Sequence, residues 1–136
     1  MQRRAVIYSR YSSDNQREAS IEDQVEVCRR YVNAQGWSVE ASYEDPALSG
    51  ASKMRPGLQR LLIDAEAGRF DVVICESIDR LGRSLADVAG MFDRLSFLRI
   101  ELYACNVGLV TPMYIGTMGT MAQMALSDLR DKTKRG

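Results

Sequence analysis

Two short β-branched runs do most to limit what this chain can fold into: R-A-V-I-Y at Arg4 to Tyr8 and F-D-V-V-I-C at Phe70 to Cys75. Short, nearly continuous apolar runs are the pattern of strands covered on both faces, as in the middle of a parallel sheet. Both are expected as central strands. Between and after them, apolar residues recur at spacings of three and four: Ile21, Val25, Cys28 and Val32; Leu58, Leu61, Leu62 and Ala65; Leu85, Val88, Ala89, Phe92 and Leu95. That spacing predicts three amphipathic helices. Ser38 to Tyr43 alternates more and Ile100 to Cys105 is mixed, so these are expected as outer strands. The order β-α-β-α-β-α-β predicts an α/β fold: a three-layer sandwich with a mostly parallel central sheet of four to five strands.

Local signals mark the element ends. Ser20 with Asp23, and Ser84 with Asp87, each read as a capping box with Asp in place of Glu. Gly36 and Gly68 fall where helix ends need a left-handed residue, and Pro56 suits a first helical turn. Glu44 to Gly57 is the longest stretch without periodicity, read either as a functional loop or as an ordinary connection.

From Tyr114 onward, Ile115, Met118, Ala122, Ala125 and Leu129 form one stripe, broadened by Met121 and Met124. This predicts a long C-terminal helix whose thioether-rich face meets a partner. The chain accordingly divides into residues 1–112 and a helix over 113–136. The basic ending K-T-K-R-G reads equally as a solvated tail or an approach to DNA.

Composition narrows the chemistry. A chain of 136 residues, 46% hydrophobic and 26% charged, suits one globular domain. Without a bilayer-length apolar run or a signal-peptide pattern it is expected to be cytoplasmic, with no membrane partner. The absence of histidine excludes histidine-based hydrolysis. Cys28, Cys75 and Cys105 have no CxxC spacing and apolar neighbours, so they are expected to be buried thiols of a reducing compartment. Eighteen basic and eighteen acidic residues cancel, so any anionic partner must be gripped by local arginines or by a part of the protein outside this chain.

Two loops carry the candidate chemistry. Tyr8 to Gln16, Y-S-R-Y-S-S-D-N-Q, follows the first central strand, where open parallel sheets bind their ligands. Ser12 lies there between Arg10 and Gln16; a hydroxyl becomes a nucleophile when a base takes its proton or cations stabilise the alkoxide. The second loop, E-S-I-D-R-L-G-R at Glu76 to Arg83, follows the other central strand. Asp79, Arg80 and Arg83 thus fall at the same sheet end, where paired guanidinium N–H groups suit phosphate oxygens. An Asp79–Arg83 surface ion pair is the plainer account. A serine, several arginines, one carboxylate and no evident metal cage point to phosphoryl transfer, with arginines stabilising the transition-state charge and no metal required. A metal-dependent phosphodiesterase is the alternative chemistry.

Four motifs in order bring in a family resemblance: Y-x-R-x-S-x-x-x-Q at Tyr8, Arg10, Ser12 and Gln16; a D-x-x-x-S-G-type loop at Asp45 to Gly50; R-P-G-L at Arg55 to Leu58; and D-R-L-G-R at Asp79 to Arg83. Together they resemble the catalytic domain of serine recombinases, the resolvase and invertase family, over nearly the whole chain. The resemblance implies a site-specific DNA recombinase in which Ser12 attacks a phosphodiester, forms a 5′-phosphoserine link and releases a 3′-hydroxyl, with subunit rotation before rejoining. It implies that Arg10, Arg55, Arg80 and Arg83 hold the scissile phosphate, that Gln16 and Ser49 position groups, and that Asp79 exchanges a proton; Tyr8 and Asp45 support the site.

The same resemblance implies no cofactor and no metal. Its implied partners are double-stranded DNA and further copies of the chain, as a homodimer and a synaptic homotetramer through the C-terminal helix. It further implies a bacterial or phage-encoded catalytic fragment of a large serine recombinase, with low activity alone. A catalytically degenerate DNA-associated domain of the same fold is the other reading. One departure stands out: no Lys or Arg occurs from Leu109 through Leu129, where many members place an arginine. Lys132, another subunit or absent regions are left to supply it.

Overall fold

The computed structural model describes residues 2–10, 18–45, 55–82 and 84–135. It is an α/β sandwich on a five-stranded sheet of order β2-β1-β3-β4-β5. The strands are β1 (Arg4–Arg10), β2 (Ser38–Asp45), β3 (Val72–Cys75), β4 (Glu101–Ala104) and β5 (Gly108–Leu109). The helices are α1 (Glu18–Gln35), α2 (Pro56–Glu66), α3 (Leu85–Phe97) and α4 (Pro112–Arg135). Strands β1 to β4 run parallel, and β5 alone is antiparallel, against β4.

The two β-branched runs are central because both of their faces are covered. Val6 and Tyr8 of β1 join Val73 and Cys75 of β3 in a core closed by Leu58 and Leu61 of α2 and by Val88, Met91 and Leu95 of α3. Ala5 and Ile7 join Val72 and Ile74 on the opposite face, beneath Cys28 and Val32 of α1. Alternate side chains of a strand point to opposite faces, so an apolar run without alternation needs a helix layer on each side.

The end signals are mostly realised. Gly36 and Gly68 have φ of 79° and 72°, the left-handed geometry that costs a side-chain-free residue least. Ser84 caps α3, its hydroxyl accepting from the Asp87 N–H at 3.1 Å. The Ser20 cap does not hold, because α1 already begins at Glu18. The Ile100 to Cys105 strand is not outermost either: β5 pairs beyond it. A two-residue strand has no periodicity to read, and its turn depends on Gly108 at φ 96°. Helix α4 begins two residues before the expected Tyr114, with Pro112 as its first residue and the Thr111 hydroxyl accepting from the Tyr114 N–H at 3.1 Å. Of the three thiols, Cys28 and Cys75 are buried as expected, whereas Cys105 is only partly so.

Along α4 the apolar stripe divides. Tyr114, Ile115 and Met118 pack against the core, while Met121 and Met124 stay 64% and 62% exposed. Among the described residues no helix is long and apolar enough to cross a membrane.

Candidate active site

Parallel pairing brings the last residues of β1, β2 and β3 to one edge of the sheet, with Arg10 opposite Asp45 in register. Residues of all four motifs meet there. Each of these strands is followed in the element order by a helix, so polar groups at this edge serve backbone needs as well as chemistry.

Asp45 shows how. Helix α2 starts with Arg55 in the N-cap position, and no side-chain cap bond is made by that residue. The first N–H groups of a helix need acceptors. Asp45 supplies them from β2: its carboxylate accepts from the Gly57 N–H at 2.7 Å and the Leu58 N–H at 2.9 Å. It also accepts from the Tyr8 hydroxyl at 2.7 Å, and it is 4% exposed. A negative charge at a helix N-terminus is favoured by the peptide dipoles as well. The approach is close enough to require glycine: a Cβ on Gly57 would lie 2.4 Å from the Glu44 carbonyl oxygen.

Arg55 adopts φ 45° and ψ 64°, a left-handed geometry that disfavours a side chain. Its contacts hold it there. Nη2 donates to the Tyr8 hydroxyl at 3.0 Å and to the Leu81 carbonyl, and Nη1 pairs with Asp87 at 3.1 Å. Asp87 thus serves twice, its N–H completing the Ser84 cap and its carboxylate reaching back to α2's leading arginine.

Arg10 makes a second clasp. Its Nε donates to the Arg80 carbonyl at 3.2 Å, and Nη2 donates to the carbonyls of Asp79 at 2.8 Å and Gly82 at 3.4 Å. With Arg55 on Leu81, all four carbonyls of D-R-L-G accept from a guanidinium. Arg80 answers from the turn, donating to the Arg10 carbonyl at 3.3 Å and lying 3.9 Å from Glu76. The buried amide of Gln24 closes the arrangement: Oε1 accepts from the Arg10 N–H at 3.1 Å, and Nε2 donates to the Arg10 carbonyl at 3.0 Å.

The structure therefore unites Tyr8, Arg10, Asp45, Arg55 and Arg80 at one sheet edge. Asp79 joins through its backbone only; its carboxylate is exposed and accepts from the Ser77 hydroxyl. Ser12, Gln16, Ser49 and Arg83 lie outside the described residues. Gln24 and Asp87 escaped the motif reading as contributors to this edge. The signal for Gln24 was present: it is a polar residue beside the apolar stripe of α1, where only a satisfied amide can be buried.

Two tyrosines give this side of the sheet a pH dependence. Burial pushes the Tyr8 hydroxyl well above its ordinary range, opposed by the Arg55 charge. Burial and the hydrogen bond to Asp64 push Tyr43 up to about 12. In both cases the unfolded chain ionises first. Their contribution to stability is complete below about pH 10 and falls as pH rises toward the folded values, by up to about 1.4 kcal/mol per pH unit for each. The urea midpoint is expected to drop between pH 9.5 and 11.5, and Tyr43→Phe to make that drop shallower. An unchanged slope in the variant would contradict this account.

The family described as the resolvase N-terminal domain matches residues 5–136. A protein of Bacillus subtilis (strain 168) named "Putative DNA recombinase" is 29% identical over 137 aligned positions, covering 96% of this chain and 27% of the relative; the chain thus spans about a quarter of that protein's length. Among solved structures, the N-terminal catalytic domain of TP901-1 integrase superposes with a TM-score of 0.71 at 29% identity, covering 96% of this chain and 98% of that one. A resolvase family site-specific recombinase from Streptococcus pneumoniae reaches a TM-score of 0.75 at 20% identity, covering 99% and 95%, a likeness of fold. The family match and the fold agree: this chain belongs to the resolvase N-terminal-domain family, the catalytic-domain family of the serine recombinases.

Proposed function

We propose that the chain is the catalytic domain of a site-specific DNA recombinase whose nucleophile is Ser12. The Ser12 oxygen attacks a backbone phosphorus, the bond from phosphorus to the 3′ oxygen breaks, and that oxygen takes up a proton as the leaving hydroxyl. The serine ester retains the energy of the cleaved bond, so the exchanged 3′-hydroxyl reverses the step without a nucleotide cofactor. Arg10, Arg55, Arg80 and Arg83 surround the phosphate in this reading, with Gln16 and Ser49 positioning groups, Asp79 exchanging a proton, and Tyr8 and Asp45 as supports. The observation that carries it is the meeting of Arg10, Arg55 and Arg80, from three separate segments, at the edge where β1 ends two residues before Ser12. Guanidinium groups gathered at one edge place positive charge where phosphoryl charge develops.

The test uses full-length protein on site-bearing DNA, stopped mid-reaction. A phosphate ester on Ser12, absent from Ser12→Ala, is the expected result. Covalent attachment that persists in Ser12→Ala would overturn the assignment. Retained cleavage in excess chelator is also expected, and its loss would favour metal-assisted hydrolysis.

The same reading divides the chain into a catalytic part, residues 1–112, and a helical part, 113–136, leading toward DNA-binding regions. It makes α4 the contact between subunits in a dimer and a synaptic tetramer on double-stranded DNA, in the cytoplasm of a bacterial host. Support comes from the exposed Met121 and Met124, which continue the stripe that Ile115 and Met118 bury. Thioether side chains can repack as neighbours change. Replacing both methionines by Glu is expected to shift sedimentation toward monomer at least tenfold in apparent Kd. An unaltered distribution would refute the interface.

A further inference from the structure

The three cysteines are unused by the proposed reaction, and two of them are neighbours. Cys28, on the inner face of α1, is fully buried, and its sulfur lies 3.8 Å from that of Cys105, the first residue after β4. Cys105 is partly exposed, whereas Cys28 lies closed off in the core behind it. From this geometry we propose that Cys28 and Cys105 form a peroxide-reactive dithiol that closes reversibly to a disulfide.

A disulfide needs the sulfurs about 2.05 Å apart, so closure asks for an approach of roughly 1.8 Å. The two sides differ in their capacity to move. Cys28 sits mid-way along the 18-residue α1, packed on the sheet. Cys105 sits in a turn leading to Gly108 and to β5, the short edge strand. The turn side can supply the movement. Cys75 is not a competitor for the bond, because it lies in the core on the other face of the sheet.

The acid–base order also suits the chemistry. The Cys28 S–H holds the Cys105 thiol below its ordinary value, while that same pairing and burial raise Cys28. Of the two thiols, the partly exposed Cys105 is thus the one favoured to ionise, and the thiolate is the nucleophile. It attacks hydrogen peroxide: an S–O bond forms, the O–O bond breaks, Cys105 becomes a sulfenic acid, and the departing hydroxide takes up the proton that the Cys105 thiol released on ionising. The Cys28 sulfur then attacks the Cys105 sulfur, the S–S bond forms, the S–O bond breaks, and the departing hydroxide takes the Cys28 proton. Two thiols and one peroxide yield one disulfide and two waters.

The experiment treats reduced protein with equimolar hydrogen peroxide, blocks remaining thiols and maps peptides without reduction. The expected product is an intrachain peptide pair joining Cys28 to Cys105, separated again by dithiothreitol and formed equally by Cys75→Ser. Cys105→Ser is expected to abolish it, and Cys28→Ser to leave a sulfenic acid on Cys105 that dimedone traps. A wild-type protein in which Cys105 is oxidised while Cys28 remains alkylatable overturns the proposal. So does a pair that links two chains or contains Cys75.

Discussion

Asp45→Ala is expected to lower stability by about 3–5 kcal/mol, because three buried donors lose one acceptor together. The Tyr8 hydroxyl and the N–H groups of Gly57 and Leu58 all converge on this carboxylate. Water cannot readily replace it in a site this closed, and each buried donor left without a partner costs about 1–3 kcal/mol. The midpoint of thermal unfolding should fall by roughly 10–15 °C for a domain of this size. Asp45→Asn should fall between the two, since its one carbonyl oxygen can accept while its amide N–H groups confront other donors. Strand cleavage should fall further than stability in Asp45→Asn, because the N-terminus of α2 sets the backbone of Arg55. A loss under about 1 kcal/mol in Asp45→Ala would show that the helix end finds other acceptors.

The same residue shows what a sequence can and cannot disclose. The motif containing Asp45 could be read, but its task could not: capping a helix from a neighbouring strand leaves no local pattern, since donor and acceptor are 12 and 13 residues apart. Ser84, whose partner is three residues away, left such a pattern and behaves as expected. The central strands were legible for a related reason. Val6, Ile7, Val73 and Ile74 each need a covered face, and an unbroken apolar run states that need without reference to the partner. Strand β5 makes no such statement, being two residues specified by the turn before it. Asp87 is legible only in part: its place in a capping box is a local pattern, but its carboxylate also pairs with Arg55, 32 residues away.

Arginine at position 10 illustrates most sharply how fold and chemistry share one group. A guanidinium gathered at a phosphate site is expected to point its donors at the ligand, yet Arg10 directs Nε and Nη2 to the carbonyls of Arg80, Asp79 and Gly82. Hydrogen bonds from a charged donor contribute about 1.5–3 kcal/mol each. Arg10→Ala should therefore destabilise the domain by about 3–5 kcal/mol as well as abolish cleavage. Arg10→Lys should recover less than half of that loss, since one ammonium cannot reproduce a planar fork spanning three carbonyls. Hydrogen exchange separates this clasp from a purely electrostatic role. The amides of Arg80 and Leu81, which donate to the carbonyls of Ser77 and Ile78, should exchange at least tenfold faster in Arg10→Lys, relative to the amides of β3. If those two amides keep their protection while cleavage is lost, Arg10 acts on the phosphate alone and the turn is held without it.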